Sequence, residues 1–198
     1  MAFAFKVNVI FYFTDWRTIM KYNIIYADPP WKYRVYDKSD AAHGAATAHY
    51  PTMPLEDIKA LPVKDLAAKN AALFLWVTDP LIPEGLEVMK EWGFRYVTVG
   101  FYWVKLNKNG KPFFGLGHYT RGNPELCFLG LKGSLPRVSK SVEKLVIAER
   151  GRHSEKPGIV RDQIVELFGD IPRLEMFART VTPGWDVWGN EVESDVAL

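Results

Sequence analysis

The feature that most constrains the fold is an almost uninterrupted apolar run at residues 71–77. A strand without a polar face must be covered on both sides, which is typical of parallel sheets with helices packed against each face. Similar runs at 22–27 and 125–131 alternate with segments of helical periodicity at 81–92 and 158–168. This alternation predicts an α/β sandwich with a mostly parallel sheet and helices on both faces.

The rest of the chain continues this pattern without a repeat, a linker or a low-complexity tract. Its length of 198 residues predicts one domain over residues 1–198, with a core at 20–192. Residues 1–13 are apolar but make a poor signal peptide, and we interpret residues 1–19 either as an extra strand or as an extension upstream of a natural start at Met20. Further strands are expected at 96–104, 142–148, 173–178 and 186–188, two short helices within 52–69, and long loops at 32–51 and 107–123.

Charge is unevenly distributed along the chain, although the net charge is only +2. Residues 105–152 carry ten basic and three acidic side chains, a local charge of +7, and the remainder carries −5. Concentrated positive charge is typical of a surface that meets a phosphate backbone, although an ordinary solvated face has the same composition. The single cysteine, Cys127, suits a reducing cytoplasm, and the four histidines lack ligand spacing, so no metal is expected.

The most informative motif is Asp28-Pro29-Pro30-Trp31, which directly follows the first apolar run. Ligands of open α/β sheets bind at the carboxyl ends of the strands, so the motif stands where chemistry is expected. A strand-ending turn with a buried tryptophan is the alternative that these four residues alone leave open.

The residue types of this motif suit the alkylation of an exocyclic ring amine, a poor nucleophile because its lone pair is delocalised. The Asp28 carboxylate and the Pro29 carbonyl would accept the two amine hydrogens and favour the pyramidal geometry that attack requires. Trp31 would supply a flat face on which a flipped base stacks. Positioning of the reactants would then provide most of the rate.

The sequence resembles the MTA-type (MT-A-seventy) adenine-N6 methyltransferases, which use S-adenosyl-L-methionine. The resemblance runs in order from Tyr22 to Val192 and is carried by matches at 28–31, 50–53, 75–78, 92–94, 103–105, 117–127, 130–133, 153–157, 174–179 and 184–191. It implies a Rossmann-like methyltransferase fold in which the catalytic motif precedes the cofactor segment. It also implies methyl transfer to the N6 amino group of adenine in a nucleic acid. We favour DNA because the compact form looks like bacterial or phage members.

On the acceptor side, the resemblance implies that the catalytic residues are Asp28, Pro29, Pro30 and Trp31. Tyr50 falls at the family's loop position near the acceptor base, and the other substrate-binding candidates are Glu125, Lys105 and Arg121. A structural ion pair within the basic segment is the alternative for Glu125.

On the cofactor side, the implied residues are Asp28, Lys156, Glu175, Arg179, Asn190 and Glu191. Lys156 is implied to meet the methionine carboxylate, and Arg179 and Asn190 to hold the ribose. The alternatives are a surface lysine before a helix for Lys156, and a structural partner of Arg179 for Glu175. The sequence has no glycine-rich phosphate loop, so cofactor binding would depend on the carboxy-terminal segment.

Three other functions remain open at this point. RNA could replace DNA as the acceptor, the chain could be a catalytically silent nucleic-acid-binding subunit, and the amine could be N4 of cytosine. A homodimer or a partner subunit is also left open, and no membrane association is expected.

Overall fold

The structure is a computed structural model that describes residues 20–32, 52–117, 119–151 and 154–198. Within these ranges the elements are β1 (Tyr22–Ala27), α1 (Leu55–Ala60), α2 (Val63–Leu66), β2 (Ala67–Val77), α3 (Ile82–Glu91), β3 (Arg95–Leu106), β4 (Glu125–Lys132), β5 (Leu145–Glu149), α4 (Ile159–Phe168), β6 (Arg173–Met176) and β7 (Asp186–Trp188). All seven expected strands and four expected helices are present, with ends that differ by no more than four residues.

The seven strands form one sheet in the order β5-β3-β4-β2-β1-β6-β7. Strand β4 pairs antiparallel with β2 and with β3, and the other four pairings are parallel. Six strands therefore run in one direction and β4 runs against them. The prediction of a mostly parallel sheet is confirmed, and the central antiparallel strand refines it.

Each face of the sheet is covered by its own apolar cluster, as the unbroken run in β2 requires. Leu73 and Leu75 of β2 point to one face, whereas Phe74 and Trp76 point to the other. All four side chains are essentially inaccessible to water. The first cluster includes Ile58 of α1, Val63 of α2, and Val88 and Met89 of α3; the second includes Val160, Ile164 and Phe168 of α4.

Two glycines coincide with local features of the backbone. Gly169 follows α4 with a φ of +89°, a conformation that suits a residue without a Cβ and ends the helix. The register between β3 and β4 shifts between Val99 and Phe101, so Gly100 lies at an irregularity within a continuous strand.

The strand directions bring one end of several strands together at a single edge of the sheet. Because β4 is antiparallel, its first residue, Glu125, lies at the edge where the parallel strands finish. Asp28 follows β1, Thr78 follows β2 and Phe177 follows β6 at this edge. These positions are where open α/β sheets bind ligands.

No helix in the described part of the chain is long and apolar enough to cross a membrane. Residues 1–19 and 33–51 lie outside the described ranges. The interpretation of residues 1–19 and the assignment of one domain over 1–198 therefore stay predictions.

Candidate active site

A cleft opens at this edge, between the turn after β1 and the segments that follow β6 and β7. It has a volume of about 200 Å³. Nine residues predicted from the sequence line it, namely Asp28, Pro29, Pro30, Trp31, Glu125, Lys156, Arg179, Asn190 and Glu191.

The turn after β1 is held by its own backbone and by the Trp31 side chain. The Trp31 amide donates to the Pro29 carbonyl at 2.8 Å, and the Met53 amide donates to the Pro30 carbonyl at 2.8 Å. The Trp31 indole donates to the Trp76 carbonyl at 3.0 Å and is only 5% exposed. One lone pair of the Pro29 carbonyl is thus already used, and Trp31 is a buried wall of the cleft rather than an open stacking surface.

Alternating charges extend from the motif into the cleft as a chain of four side chains. Lys156 Nζ lies 2.6 Å from Asp28 Oδ2 and 3.3 Å from Glu125 Oε2. Lys105 Nζ in turn lies 2.5 Å from Glu125 Oε1. We call these four residues the charge chain; it has no net charge, which makes its burial tolerable.

Burial and mutual attraction shift the pKa values within the charge chain. Burial raises the pKa of Asp28 above its ordinary value, and Lys156 offsets only part of that rise. Burial alone would raise the pKa of Glu125 as well, but Lys156 and Lys105 outweigh it and hold the pKa below the ordinary value. Burial opposes protonation of Lys156, but Asp28 and Glu125 together raise its pKa, so its ammonium stays charged.

The opposite wall of the cleft comes from the segments after β6 and β7. The Ala178 amide donates to the Trp188 carbonyl at 2.9 Å, and the Phe177 and Trp188 rings meet edge to face with centroids 5.2 Å apart. A Cβ at Gly189 would overlap backbone atoms of Ala178, so only glycine allows this approach. Phe177 has a φ of +62°, an unusual value for a side-chain-bearing residue that is typical of functional sites.

The structure does not bring every predicted residue into the cleft. Glu175 is only 6% exposed and does not line the cleft, because Arg161 of α4 binds both of its oxygens at 2.7 and 2.5 Å. Its partner is therefore Arg161, whereas Arg179 lies 2.9 Å from Glu191. The sequence did not distinguish the two arginines because only the helix packing brings Arg161 beside β6.

Two substrate-binding candidates also lie outside the cleft. Lys105 reaches it only through Glu125, as the last member of the charge chain. The Arg121 guanidinium binds the carbonyls of Gly115 and Phe114 at 2.7 and 3.0 Å, within its own loop. Tyr50 lies outside the described residues, so its expected place near the base stays a prediction.

Some cleft residues were not singled out from the sequence, although they belong to matched segments. Trp76 and Thr78 lie at the end of β2, and Phe177 and Trp188 lie at the ends of β6 and β7. Ser154 lies two residues before Lys156. The Thr78 hydroxyl is buried and has no hydrogen-bond partner in the described part of the chain. For Thr78 and Phe177, the position just past a strand end was the signal that could have identified them.

No group of three or more His, Cys, Asp or Glu side chains suited to a metal occurs within the described ranges. His43, His49, His118 and His153 all lie outside those ranges. The expectation of a metal-free site therefore stays a prediction.

Comparison with known proteins identifies the family to which the chain belongs. The family model for MT-A70 matches residues 22–191. The Type II methyltransferase M.MunI from Mycoplasma sp is 37% identical over 188 residues, which cover 87% of this chain and 78% of that protein. The human N(6)-adenine-specific methyltransferase METTL4 is 29% identical over 193 residues, covering 86% of this chain and 37% of METTL4.

A third relative, the N(6)-adenosine-methyltransferase MT-A70-like protein of Drosophila melanogaster, is 27% identical over 190 residues, with 91% of this chain but only 28% of that protein covered. The family match includes both walls of the cleft, from Asp28 to Glu191. The chain belongs to the MT-A70 family of adenine-N6 methyltransferases, whose members use S-adenosyl-L-methionine.

Proposed function

We propose that the protein transfers a methyl group from S-adenosyl-L-methionine to the N6 amino group of adenine in DNA. The observation that carries the proposal is that Asp28 and Pro29 line a strand-end cleft whose opposite wall is the carboxy-terminal segment. Support for DNA comes from M.MunI, which is named a Type II methyltransferase and is covered over 78% of its length. A cytoplasmic location belongs to the same proposal.

The residues of the cleft fit S-adenosyl-L-methionine, a zwitterion with an adenosine. Lys156 offers a buried ammonium to a carboxylate, and the amide of Asn190 and the carboxylate of Glu191 offer hydrogen-bonding groups to ribose hydroxyls. Arg179 stands beside Glu191 at the same wall. The cofactor, when bound, supplies a methyl group activated by a sulfonium. We leave Glu175 out of this set, because its carboxylate is already paired.

Asp28 and Pro29 would position the acceptor amine. Lys156 binds Oδ2 of Asp28, which leaves Oδ1 to accept one amine hydrogen, and the second lone pair of the Pro29 carbonyl can accept the other. A new nitrogen–carbon bond forms as the carbon–sulfur bond breaks. The amine proton then leaves to water or transiently to Asp28, whose raised pKa favours that role. The base must be unpaired or flipped to reach this point.

Adenosine in RNA is the second candidate, because one relative is named an N6-methyladenosine RNA methyltransferase. That protein, from Pyricularia oryzae, is 28% identical over 184 residues, which cover 47% of it. The chain thus spans less than half of that relative, compared with most of M.MunI.

Matched substrates and isotope-labelled cofactor test the proposal. Purified protein is incubated with genomic DNA and with total RNA, and the methylated nucleoside is identified by mass spectrometry and its sequence context mapped. We expect N6-methyladenine in DNA. Label in RNA alone would transfer the activity to RNA, label on N4 of cytosine would change the acceptor, and absence of cofactor binding by calorimetry would favour a silent subunit.

A further inference from the structure

Three of the most exposed large apolar side chains lie within six residues of one loop. Phe114 is 60% exposed, Leu116 is 77% exposed and Tyr119 is fully exposed. They belong to the connection between β3 and β4, described at 107–117 and 119–124, which we call the β3–β4 loop. Exposed apolar side chains gathered in this way are typical of a contact surface.

The β3–β4 loop is braced from inside by polar contacts. The Asn123 side chain accepts from the Lys105 amide at 2.9 Å and donates to the Lys105 carbonyl at 3.0 Å and to the Phe113 carbonyl. Arg121 binds two carbonyls of the loop, and the Arg150 guanidinium stacks 3.6 Å from the centre of the Phe113 ring. The loop therefore presents its apolar side chains on a fixed base, which lowers the entropy lost on binding.

Gly117 and Thr120 approach each other closely on either side of the exposed Tyr119. A Cβ at Gly117 would overlap the carbonyl oxygen of Thr120, so this approach requires glycine at that position. The polar contacts just described hold the two ends of the loop and leave Tyr119 pointing outward.

The position of the loop relates it to the cleft. It leaves β3 at the strand's carboxyl end and enters β4 at Glu125, which lines the cleft beside Lys156. A base that reaches Asp28 must therefore come from a nucleic acid lying across this same edge of the sheet. The loop stands where the neighbouring part of that duplex would pass.

The charge of the loop complements a polyanion. Between residues 107 and 124 it carries Lys108, Lys111 and Arg121 and no acidic residue, and Arg150 packs against it. A protein partner with an apolar patch would not need such a uniform sign of charge. Apolar side chains set among cations are what duplex-distorting nucleic-acid proteins insert between base pairs.

We propose that the β3–β4 loop inserts Tyr119, supported by Leu116, into a nucleic-acid duplex and fills the space left by the adenine that turns into the cleft. This inference rests on the proposed function and adds to it how the enzyme opens a duplex. Tyr119 stacks on the exposed neighbouring bases, and Lys108 and Lys111 hold the flanking phosphates. Lys105 and Arg121 then act by bracing this loop rather than by contacting the base.

The test compares a paired target with an unpaired one. A short duplex carries the methylation site mapped for the wild-type protein, and a second duplex has an abasic site opposite the target adenine, so that no pair must be broken. We expect Tyr119→Ala to lower kcat/KM on the fully paired duplex by about tenfold, the worth of one base–aromatic stack, and to leave kcat/KM on the abasic duplex close to that of the wild type. Tyr119→Phe should retain activity on both.

Val138→Ala is the matched control, because Val138 is 69% exposed but lies beyond the other end of β4. A second readout is the fluorescence of 2-aminopurine at the target position, which rises on flipping and should rise less with Tyr119→Ala. Equal activity of Tyr119→Ala and wild type on the paired duplex would overturn the inference, as would equal losses on both duplexes. A change in oligomeric state without a change in the paired-to-unpaired ratio would also overturn it, in favour of a protein contact. Inactivity of the wild type on both duplexes would instead refute the proposed function.

Discussion

Two groups of buried opposite charges occur among the residues that the structure describes, and they differ in what they face. Arg161 and Glu175 form a closed pair with two hydrogen bonds, and their side chains are 16% and 8% exposed. Neither lines the cleft. In the charge chain, Lys156 is 7% exposed, but Asp28 remains 32% exposed and opens to the cleft.

This difference shows why buried charge alone does not identify an active site. In the closed pair, each charged group meets its partner, and the pair ties α4 to β6. In the charge chain, Lys156 serves two carboxylates, and Asp28 keeps one oxygen available and a raised pKa. We therefore expect the first group to affect folding and the second to affect chemistry.

Removing the Asp28 carboxylate tests the functional side of the comparison and should have the largest effect. We expect Asp28→Ala to reduce methyl transfer by about a thousandfold or more, since it removes an acceptor that acts on the developing charge of the amine. Cofactor binding measured by calorimetry should be largely retained, because Lys156 still has Glu125 as a partner. The exposed Asp162→Ala on α4 is the control. Normal turnover by Asp28→Ala would disprove the assigned role.

Breaking the closed pair tests the structural side. Arg161→Met leaves Glu175 buried without its partner, and we expect the free energy of unfolding to fall by about 3–5 kcal/mol. Methyl transfer per folded molecule should not change. Replacing both Arg161 and Glu175 with Met should restore much of the lost stability, because no unpaired charge remains. Loss of activity in a folded double variant would show that Glu175 does belong to the cofactor site.

The sequence predicted the strands better than it predicted the partners of individual charged side chains. The apolar runs fixed which segments became β1, β2 and β4, because a residue type and its spacing are enough to decide burial on both faces. The antiparallel direction of β4 was not predictable in this way, since the run at 125–131 reads the same in both directions.

Of the predicted residues placed in the cleft, most follow strand ends or stand at the first position of β4, and Lys156 lies in the segment before α4. Motif matching found all of them. The candidates that lie outside the cleft are the long charged side chains of Glu175, Lys105 and Arg121. Tertiary packing brings Glu175 and Lys105 to their partners, and Arg121 binds carbonyls of its own loop. Arg161 belongs to none of the matched motifs and is simply one basic residue on the amphipathic helix α4. No local pattern specifies that it, rather than Arg179, pairs with Glu175.

Replacing Glu125 in the charge chain with Gln should have a smaller effect, on the pH dependence of activity. Burial raises the pKa of Asp28, and the negative charge of Glu125 raises it further. Removing that charge should lower the pKa of Asp28 and shift the acidic limb of the activity profile to lower pH, because Asp28 must be ionised to accept the amine hydrogen. Glu166→Gln, an exposed change on α4, should leave the profile unmoved. An acidic limb that stays in place or moves up would contradict this electrostatic coupling.

Glu125→Gln should also change the pH dependence of the free energy of unfolding, which is measured separately from activity. The pKa of Glu125 is lower in the folded protein than in the unfolded chain. Its ionised form therefore stabilises the fold at pH values above the pKa of the unfolded state, and this stabilisation is lost as the pH falls through the pKa of the folded state. Glu125→Gln lacks this contribution. We therefore expect a lower free energy of unfolding at neutral pH and a weaker loss on acidification, measured by denaturant unfolding at several pH values.

The smallest expected effect concerns Thr78, a cleft residue outside both charge groups. Its buried hydroxyl has no partner among the described residues, and such a group costs about 1–3 kcal/mol. Thr78→Val removes the hydroxyl at nearly constant volume, so we expect the ligand-free protein to be at least as stable, by up to about 1 kcal/mol more. If the hydroxyl meets a ligand in the cleft, affinity for cofactor or DNA should fall by about three- to tenfold, the worth of one hydrogen bond. Thr78→Ser keeps the hydroxyl and should keep the affinity. If the valine variant gains stability and loses no affinity, Thr78 has a structural role only, like that of the closed pair.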